Sequence, residues 1–298
     1  MAWRTVVISN PARLKLENDQ LTIIQDDEVK LPLEDVAVLL IESQEVTLTS
    51  ALLARLAEHG AMLLVCDGRH LPALAGLPYA GHSRLSGVHR LQLSASLPFK
   101  KRCWQSVVKQ KVLNQAECLR LAGRNGSDRL AAMADKVTSG DGTNVESQAA
   151  REYFRLLFGD EFLRGDEDDA NSALNYGYAV MRAAVARALA AHGFLLTQGI
   201  HHHSELNPFN LADDFLEPFR PVVDLKVVGM DFEEEFDVAH RQELAALVSC
   251  DVIIEGARQS ALRAAEMTAA SFQTACYKKD PLLLKLPGLL PLKQHRYE

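Results

Sequence analysis

Short apolar runs separated by turn-forming residues characterise the first 80 residues of the chain. Residues 36–41 (VAVLLI) and 61–66 (AMLLVC) are continuous apolar runs, typical of strands that are buried on both faces. Between them, residues 50–60 (SALLARLAEHG) have the spacing of a short helix and end in a glycine, a common helix stop. Residues 5–8 (TVVI) are β-branched and end at a Ser-Asn-Pro turn signal. This pattern predicts a compact, mostly β domain with one helix.

Beyond residue 98, apolar positions recur at helical spacing. Residues 104–119, 173–196 and 242–277 keep this period over long stretches, which predicts helices. The intervening residues 71–97 hold two prolines and three glycines and have little period, so we expect a linker there. The tail from Pro281, with further prolines among leucines, is predicted to be extended.

These patterns together define an expected architecture. We predict an α+β protein with a small, mostly β N-terminal domain over residues 1–80 and a linker over residues 81–97. A larger, all-helical catalytic domain is predicted over residues 98–298.

Composition narrows the class of protein. The chain has 298 residues, 48% of them hydrophobic and 24% charged, which is ordinary for a soluble globular protein. No apolar run approaches the roughly 18 residues expected of a membrane span, and the first residues are typical of a strand instead of an export signal. The five cysteines have no metal-ligand spacing, and their number is odd. We therefore expect a cytoplasmic protein without a membrane contact.

The net charge of −7 is unevenly distributed. Residues 81–125 hold nine lysines and arginines against the single acid Glu117, a formal charge of +8 that leaves −15 for the remainder of the chain. The basic residues of this stretch, called the basic block below, are Arg84, Arg90, Lys100, Lys101, Arg102, Lys109, Lys111, Arg120 and Arg124.

Two interpretations of the basic block are open. It could be the solvated face of a helix, or it could place a positive, polyanion-binding surface on an otherwise acidic protein. Trp104 and several Gln and Asn residues lie among the bases, and this mixture favours nucleic acid.

Candidate metal ligands are concentrated in residues 199–224 (GIHHHSELNPFNLADDFLEPFRPVVD). Asp213, Asp214 and Glu217 are spaced to share one face of a helical turn, and Pro218 would end that turn just after Glu217. Carboxylates suit Mg²⁺ and Mn²⁺, and an imidazole among the ligands shifts the preference toward Mn²⁺.

Each of these residues also has a structural interpretation. The histidine run 201–203 could be an exposed loop, and Asp213 and Asp214 are at positions where solvated helix residues are common. Arg220 could pair with Glu217 or Asp224.

Glu146 has its own alternative. It is the fourth residue of Thr143-Asn-Val-Glu, which fits a capping box that opens a helix over residues 145–158. The sequence by itself does not bring Glu146 close to the histidines.

The motif in residues 199–221 resembles the signature of a known family, the CRISPR-associated spacer-acquisition integrases. The match comprises Gly-Ile-His-His at 199–202 and Asn-Pro-Phe-Asn-Leu-Ala-Asp-Asp-Phe-Leu-Glu-Pro-Phe-Arg-Pro at 207–221. Residues 104–115, 144–146 and 174–182 are similar to the family as well. The resemblance covers nearly the whole chain and is nearest to the type II branch.

The resemblance implies a site for one divalent ion, Mg²⁺ or Mn²⁺. The expected ligands are Glu146, His202 and Glu217. His202 is preferred over its neighbours His201 and His203 because it lies fifteen residues before Glu217, in agreement with the spacing of the family. Asp213 is a candidate partner or additional ligand.

The implied reaction is DNA integration with accompanying endonuclease activity. A 3′-hydroxyl of a captured fragment attacks a phosphodiester at the CRISPR repeat. The residues expected to contact DNA are Arg84, Lys100, Lys101, Arg102, Lys109, Lys111 and Arg182, with Asn175 and Tyr178 beside Arg182.

The implied partners are double-stranded DNA, a second copy of the chain, and the small second CRISPR adaptation protein. Two homodimers would clamp one dimer of that small protein, with the N-terminal domain serving dimerisation and partner contact. The tail from Pro281 would either join this contact or fold on its own domain.

Two other functions remain open from the sequence. One is a structure-selective DNA repair nuclease with water as the nucleophile. The other is a non-catalytic DNA-binding scaffold whose carboxylates only stabilise the fold.

Overall fold

The computed structural model describes residues 3–78, 83–232 and 235–296. Its contacts divide the chain into two compact units, Met1–Ser83 and Arg84–Glu298. The first unit is rich in strands and the second in helices, so the predicted α+β class is confirmed.

The described part of the first unit contains two sheets, one α-helix and a 3-10 turn at Leu33–Asp35. Its elements are β1 Arg4–Ile8, β2 Ala12–Glu17, β3 Gln20–Ile24, β4 Glu28–Pro32, β5 Val36–Ile41, β6 Val46–Leu48, α1 Ser50–Glu58, β7 Met62–Cys66 and β8 Pro72–Gly76. One sheet has the strand order β1-β5-β7-β8, with β1, β5 and β7 parallel and β8 antiparallel to β7. The other has the order β4-β3-β2-β6, in which only the β2–β6 pair is parallel.

The core of this unit follows from the apolar runs of the sequence. Every residue of β5 is buried, as predicted for a strand covered on both faces. Leu14, Leu21 and Leu52, from β2, β3 and α1, are fully buried in the same apolar cluster as β5. Thr49 opens α1 by accepting a hydrogen bond from the backbone N–H of Leu52, which fixes where the helix begins.

The second unit is built mainly from helices. They are α2 Leu85–Leu93, α3 Leu97–Leu121, α4 Ser127–Ala134, α5 Val145–Phe158, α6 Asp169–Ala191, α7 Asn210–Leu216, α8 Arg220–Val227, α9 Val238–Ala245 and α10 Ala261–Lys278. Single 3-10 turns occupy Ser139–Asp141, Glu217–Phe219, Ala246–Ser249 and Pro281–Leu283.

Helix α3, with 25 residues, packs against α4, α5 and α8. It carries a buried amide, Asn114, whose Nδ2 atom donates to the carbonyls of Pro218 (2.7 Å) and Pro287 (2.9 Å). The Oδ1 atom of Asn114 accepts from the backbone N–H of Leu289 at 3.1 Å. One side chain therefore ties α3 to the 3-10 turn that carries Glu217 and to the C-terminal segment.

The second unit also contains a sheet, which departs from the all-helical prediction. Strands β9 Cys250–Ile254, β10 Ala257–Ser260 and β11 Gly288–Gln294 form an antiparallel sheet in the order β10-β9-β11. Between β9 and β10, Glu255 and Gly256 have φ values of 51° and 77°, as a tight hairpin requires. The Val-Ile-Ile run of β9 favours a strand, and this local preference overrides the helical spacing of residues 242–277. The tail from Pro281 begins with the 3-10 turn and is extended as predicted from Gly288, where β11 pairs within its own unit.

The predicted linker, residues 81–97, contains helix α2, although residues 81–82 lie outside the described part. Val88 and Gln92 are buried on one face of α2. The side-chain amide of Gln92 donates to the carbonyls of Leu195 and Gln198 and accepts from the backbone N–H of Leu195, so the helix is held by a contact that is distant in sequence. Local pattern alone does not reveal such a contact.

Apolar helices of membrane-spanning length are absent from residues 3–78, 83–232 and 235–296.

Helix α6 packs closely on α8 at Gly177, so a larger side chain at this position should destabilise the fold. A Cβ atom at position 177 would lie 2.4 Å from Cγ1 of Val223. Gly177→Ala should therefore lower the free energy of unfolding by about 1–3 kcal/mol, although alanine is the better helix former. Urea denaturation followed by circular dichroism measures the change. Gly87→Ala is the matched control, because Gly87 lies within α2 with no atom near the added Cβ. The control should be neutral or stabilising, and equal losses in the two variants would contradict the packing argument.

Candidate active site

Two carboxylates from distant parts of the second unit meet at one lysine. The Lys111 Nζ atom lies 2.7 Å from Oε1 of Glu146 and 2.5 Å from Oε2 of Glu217. The Lys111 and Glu217 side chains are only 10% and 4% exposed, so both charges are largely removed from water. The Arg220 Nε atom donates to the other oxygen of Glu217, Oε1, at 2.8 Å. Of the two partners proposed for Arg220 from the sequence, the structure selects Glu217.

Each carboxylate is positioned by local backbone structure. Glu146 lies in the first turn of α5, where the carboxylate of Asp141 accepts from the backbone N–H groups of Val145 and Glu146, both at 2.9 Å. Glu217 lies on the 3-10 turn, which follows α7 where Pro218 prevents the helix from continuing. The capping-box interpretation of Glu146 is wrong: Asp141 caps the helix, and the Glu146 side chain is bonded to Lys111.

The buried charges stabilise one another. Burial raises the pKa of Glu217, but Arg220 and Lys111 outweigh burial and bring it down to about 2. Burial lowers the pKa of Lys111, but the charges of Glu217 and Glu146 outweigh this effect, and its pKa lies above the usual value. Glu217 and Lys111 are therefore both ionised at neutral pH.

The histidine loop is organised by Asp214. This carboxylate is fully buried and accepts from the backbone N–H groups of Ile200 (2.6 Å), His201 (3.2 Å) and His202 (3.0 Å). The interpretation of Asp214 as a solvated helix residue is therefore wrong. Gly199 makes room for this arrangement, since a Cβ there would lie 2.2 Å from the carbonyl oxygen of His202.

The three histidines have different surroundings. His201 stacks on Trp104, with parallel rings 4.1 Å apart. The His203 Nδ1 atom lies 2.8 Å from the carbonyl oxygen of His201, and the His203 side chain is exposed. The His202 Nδ1 atom lies 2.8 Å from Oδ1 of Asp214. Because a carboxylate only accepts, Nδ1 of His202 carries the proton, and in the neutral ring Nε2 keeps its lone pair.

The pKa values of these histidines shift in opposite directions. The hydrogen bond to Asp214 raises the pKa of His202, and the negative charge of Glu217 adds to the effect. Burial lowers the pKa of His201. Among the three, His202 is thus the ring whose orientation is fixed by a carboxylate, as is usual for metal-binding histidines.

A preassembled metal cluster of three or more His, Cys, Asp or Glu side chains is absent from the described ranges. The chemistry of the site nevertheless fits a hard cation, because its two carboxylates already hold one positive charge, the ammonium of Lys111. The Oε2 atom of Glu217 lies 2.5 Å from the Lys111 ammonium, and the two buried groups form an ion pair.

An open cavity of about 200 Å³ lies beside Glu217, and Arg220, which is paired with Glu217, is one of its lining residues. Its lining residues are Arg164, Asn175, Tyr178, Ala179, Arg182, Asp213, Leu216 and Arg220. The lining carries three guanidinium groups against one carboxylate, so the cavity favours an anion.

Two of the guanidinium groups, those of Arg164 and Arg182, are held without complete neutralisation. The Arg164 side chain donates to the amide oxygens of Asn171 and Asn175, and its charge lies 5.6 Å from the ring centre of Tyr178. Arg182 is 3.8 Å from Asp213, a long contact for an ion pair. Arg164 and Arg182 could therefore donate hydrogen bonds to a phosphate group in the cavity.

The hydroxyl group of Tyr178 is hydrogen-bonded to a buried acid, Asp224. Asp224 accepts from the hydroxyl groups of both Tyr178 and Tyr153 and is 1% exposed. Burial raises the pKa of Asp224 to about 6, although the two tyrosine hydrogen bonds oppose the shift. The guanidinium group of Arg220 lies over the ring of Tyr178, 4.6 Å from the ring centre.

The predicted DNA-contacting residues separate into three groups. Arg84, Lys101 and Arg102 are exposed, whereas Lys100 and Lys109 are half-buried. Arg182 lines the cavity beside Glu146 and Glu217, which are called the acidic pair below. Lys111 is buried and ion-paired with Glu146 and Glu217, so it does not belong to the exposed basic surface.

Three residues of the site were not singled out by the sequence: Arg164, Asp141 and Asn114. Arg164 lies in a polar loop without a periodic pattern, and nothing local indicates its partners. Asp141 follows Gly140 in the Ser-Gly-Asp-Gly turn, and this position before a helix is a usable capping signal. Asn114 is three residues after Lys111 on the same helix, which places both side chains on one face.

Comparison with known proteins shows the family of the chain. The family model described as CRISPR associated protein Cas1 matches residues 5–240. The CRISPR-associated endonuclease Cas1 of Neisseria meningitidis serogroup C (strain 8013) is 46% identical over 307 residues, covering 100% of each chain.

Solved structures share the fold at lower identity. A casposase bound to integration product has a TM-score of 0.76 at 15% identity and covers 93% of this chain and 91% of its own. A Cas6-RT-Cas1–Cas2 complex has a TM-score of 0.72 at 18% identity and covers 94% of this chain and 36% of that chain.

The family model and the full-length relative thus place the chain among the CRISPR-associated proteins. Within that class, the chain belongs to the Cas1 family.

The buried acid Asp224 makes stability depend on pH with a defined sign. Its pKa is about 6 in the folded protein and 3.8 in its ordinary state, so the folded form binds the proton more tightly. The stability that Asp224 contributes is therefore present below pH 3.8 and lost as the pH rises through 6, by at most about 3 kcal/mol.

Asp224→Asn should remove this dependence. The unfolding free energy of the wild type should fall relative to that of the variant as the pH is raised from 4 to 7, measured by urea denaturation at each pH. Asp160→Asn, on an exposed side chain, is the control and should track the wild type. A difference between wild type and Asp224→Asn that stays constant with pH would contradict the argument.

Proposed function

We propose that the chain is a divalent-metal-dependent DNA integrase of CRISPR adaptation that also cuts DNA. The observation that carries the proposal is the acidic pair Glu146 and Glu217 beside an arginine-lined cavity. It is supported by the 46% identity to a protein named an endonuclease and by the shared fold of a casposase bound to integration product.

In this proposal Glu146, His202 and Glu217 hold Mg²⁺ or Mn²⁺. The bound ion would lower the pKa of the attacking hydroxyl and offset charge on the transferring phosphoryl group. Asp214 orients His202 through Nδ1 and leaves Nε2 for the ion. Arg220 fixes one oxygen of Glu217, so that carboxylate needs little rearrangement before reaction.

The arginine-lined cavity is the proposed site for the phosphodiester under attack. Arg164 and Arg182 would offset the charge of its oxygens, and Tyr178 and Asn175 would form the walls that position the strand. The 3′-hydroxyl of the captured fragment forms a bond to phosphorus, while the bond to the leaving 3′-oxygen of the repeat breaks. Hydrolysis follows the same course, with water as nucleophile.

The exposed members of the basic block are proposed to hold DNA through its phosphates. Arg84, Lys101 and Arg102 are exposed in a stretch that contains one acid, and Lys100 and Lys109 lie close to them in sequence. Contacts of this kind are independent of sequence and weaken steeply with salt.

The proposed assembly follows the relatives. The shared fold of the Cas1 part of a Cas6-RT-Cas1–Cas2 complex supports a partnership with the small second adaptation protein, Cas2. We propose two homodimers for each dimer of that partner, with residues 1–80 serving dimerisation and partner contact. We propose a cytoplasmic location, which suits a chain whose five cysteines are all buried.

Two alternatives use the same residues differently. The name of the relative from Neisseria favours nuclease activity, so a repair nuclease acting on branched DNA is the second candidate. A scaffold without catalysis is third. It would leave the paired carboxylates beside an anion-favouring cavity without a chemical role.

The proposal predicts strand transfer that depends on the acidic pair. Purified protein with Cas2 should join a short duplex bearing free 3′-hydroxyls to a plasmid carrying a CRISPR repeat when Mn²⁺ or Mg²⁺ is present. Glu217→Gln and His202→Ala should each reduce joining by about 100-fold or more, because each removes a proposed ligand. His203→Ala is the control, since that side chain is exposed and only its Nδ1 atom makes a contact.

The outcomes separate the candidate functions. Joining that survives His202→Ala but is lost with His201→Ala would move the ligand to His201. Cleavage without joining would favour the repair nuclease. DNA binding with no reaction on any substrate would leave the scaffold.

The basic block predicts a salt-dependent affinity with a measurable slope. Lys101→Ala combined with Arg102→Ala should weaken duplex binding and reduce the slope of log affinity against log salt by about 2, since each lost phosphate contact contributes about 0.9. Fluorescence anisotropy at several salt concentrations measures the slope. Arg120→Ala is the control, because Arg120 is already paired with Glu117 through two hydrogen bonds. Equal slopes for the double variant and the wild type would contradict a role of these two residues in DNA binding.

A further inference from the structure

Lys111 occupies a chemically unusual position for a residue of the basic block. Its ammonium contacts both Glu146 and Glu217, the two carboxylates that the proposed function assigns to the divalent ion. The Nζ atom lies 2.7 Å and 2.5 Å from their oxygens, and the side chain is only 10% exposed. The lysine is thus a positive charge held at the place where a positive ion is needed.

The ammonium and a divalent ion cannot use these oxygens at the same time. Mg²⁺ requires oxygen ligands at about 2.0–2.1 Å, and a lysine at hydrogen-bond distance from the same atoms would be pressed against the ion. The two positive charges would also repel each other in a site with little water.

The charge balance of the site also indicates that Lys111 and the ion compete. Lys111 and Arg220 balance Glu146 and Glu217, so an arriving divalent ion meets a pair of carboxylates that is already neutralised. The site becomes attractive to the ion only when one positive charge leaves.

Of the two cations, Lys111 is the one able to leave. Arg220 is fixed between Oε1 of Glu217 and the ring of Tyr178. Lys111 is held only at its terminal ammonium, by Glu146 and Glu217, and a lysine has a flexible four-carbon stem that lets this group move.

We infer that Lys111 is a tethered competitor of the divalent ion: the ion binds Glu146 and Glu217 only as the Lys111 ammonium withdraws from them. Lys111 therefore lowers the affinity for the ion and stabilises the acidic pair when no ion is bound. This inference rests on the proposed metal site.

The test compares Mn²⁺ binding by wild-type full-length protein and Lys111→Met, which keeps the length of the side chain and removes its charge. Isothermal titration calorimetry should show a Kd for Mn²⁺ that is lower by about tenfold or more in the variant. Without added Mn²⁺ the thermal midpoint of Lys111→Met should be below that of the wild type, because Glu217 loses a partner, and Mn²⁺ should raise it more than it raises the wild type.

Two further variants keep the test decisive. Lys136→Met removes the same charge from an exposed side chain of the second unit that has no role in the proposed site, and should leave the Mn²⁺ affinity within about threefold of the wild type. Lys111→Gln repeats the experiment with a polar side chain in case the methionine variant does not fold.

The results distinguish this inference from the metal site itself. If wild type binds Mn²⁺, Glu217→Gln does not, and Lys111→Met binds with equal or weaker affinity, the metal site stands and the competitor role is overturned. If neither the wild type nor either Lys111 variant binds Mn²⁺, the metal site falls and the inference falls with it. Binding by a Lys111 variant alone would support both.

Discussion

The geometry of the candidate active site depends on one buried amide, Asn114. Its side chain joins α3 to the turn that carries Glu217 and to residues 287–289, using both the donor and the acceptor of the amide. An unpaired amide in this position would be costly, so these three segments are held together as a unit. Lys111 lies one helical turn earlier on the same face of α3, and its distance from Glu217 is thereby set.

The acidic pair and the arginine-lined cavity form one continuous electrostatic unit, joined at Arg220. On one side Arg220 fixes Glu217, and on the other it stacks on Tyr178 and lines the cavity. The charge of Arg220 thus has two tasks. It compensates the negative charge of the buried Glu217, and it makes the cavity favourable to an anion. An arginine suits both tasks, since its planar group can donate along its edge and stack on its face.

Elements with a local signal were predictable from the sequence, and contacts between distant segments were not. The apolar run 36–41 gave a buried strand, and helix Val145–Phe158 was predicted with the bounds that the structure has. The hairpin at Glu255–Gly256 and helix Leu85–Leu93 were missed, because a competing period concealed the first and the partners of Gln92 lie about 100 residues away. For the site, residue types indicated Glu146, the histidines 201–203 and Glu217 only as separate candidates, and the family resemblance selected His202.

The C-terminal strand has a consequence for biosynthesis. Asn114 obtains its acceptor at Pro287 and its donor at Leu289 from a part of the chain that is translated more than 170 residues after it. At about 5–20 residues per second, the ribosome needs roughly ten seconds or more to deliver them. During that interval α3 can form, but the turn bearing Glu217 lacks its final anchor. A protein that acts on DNA would therefore complete this site only after residues 287–289 have emerged from the ribosome.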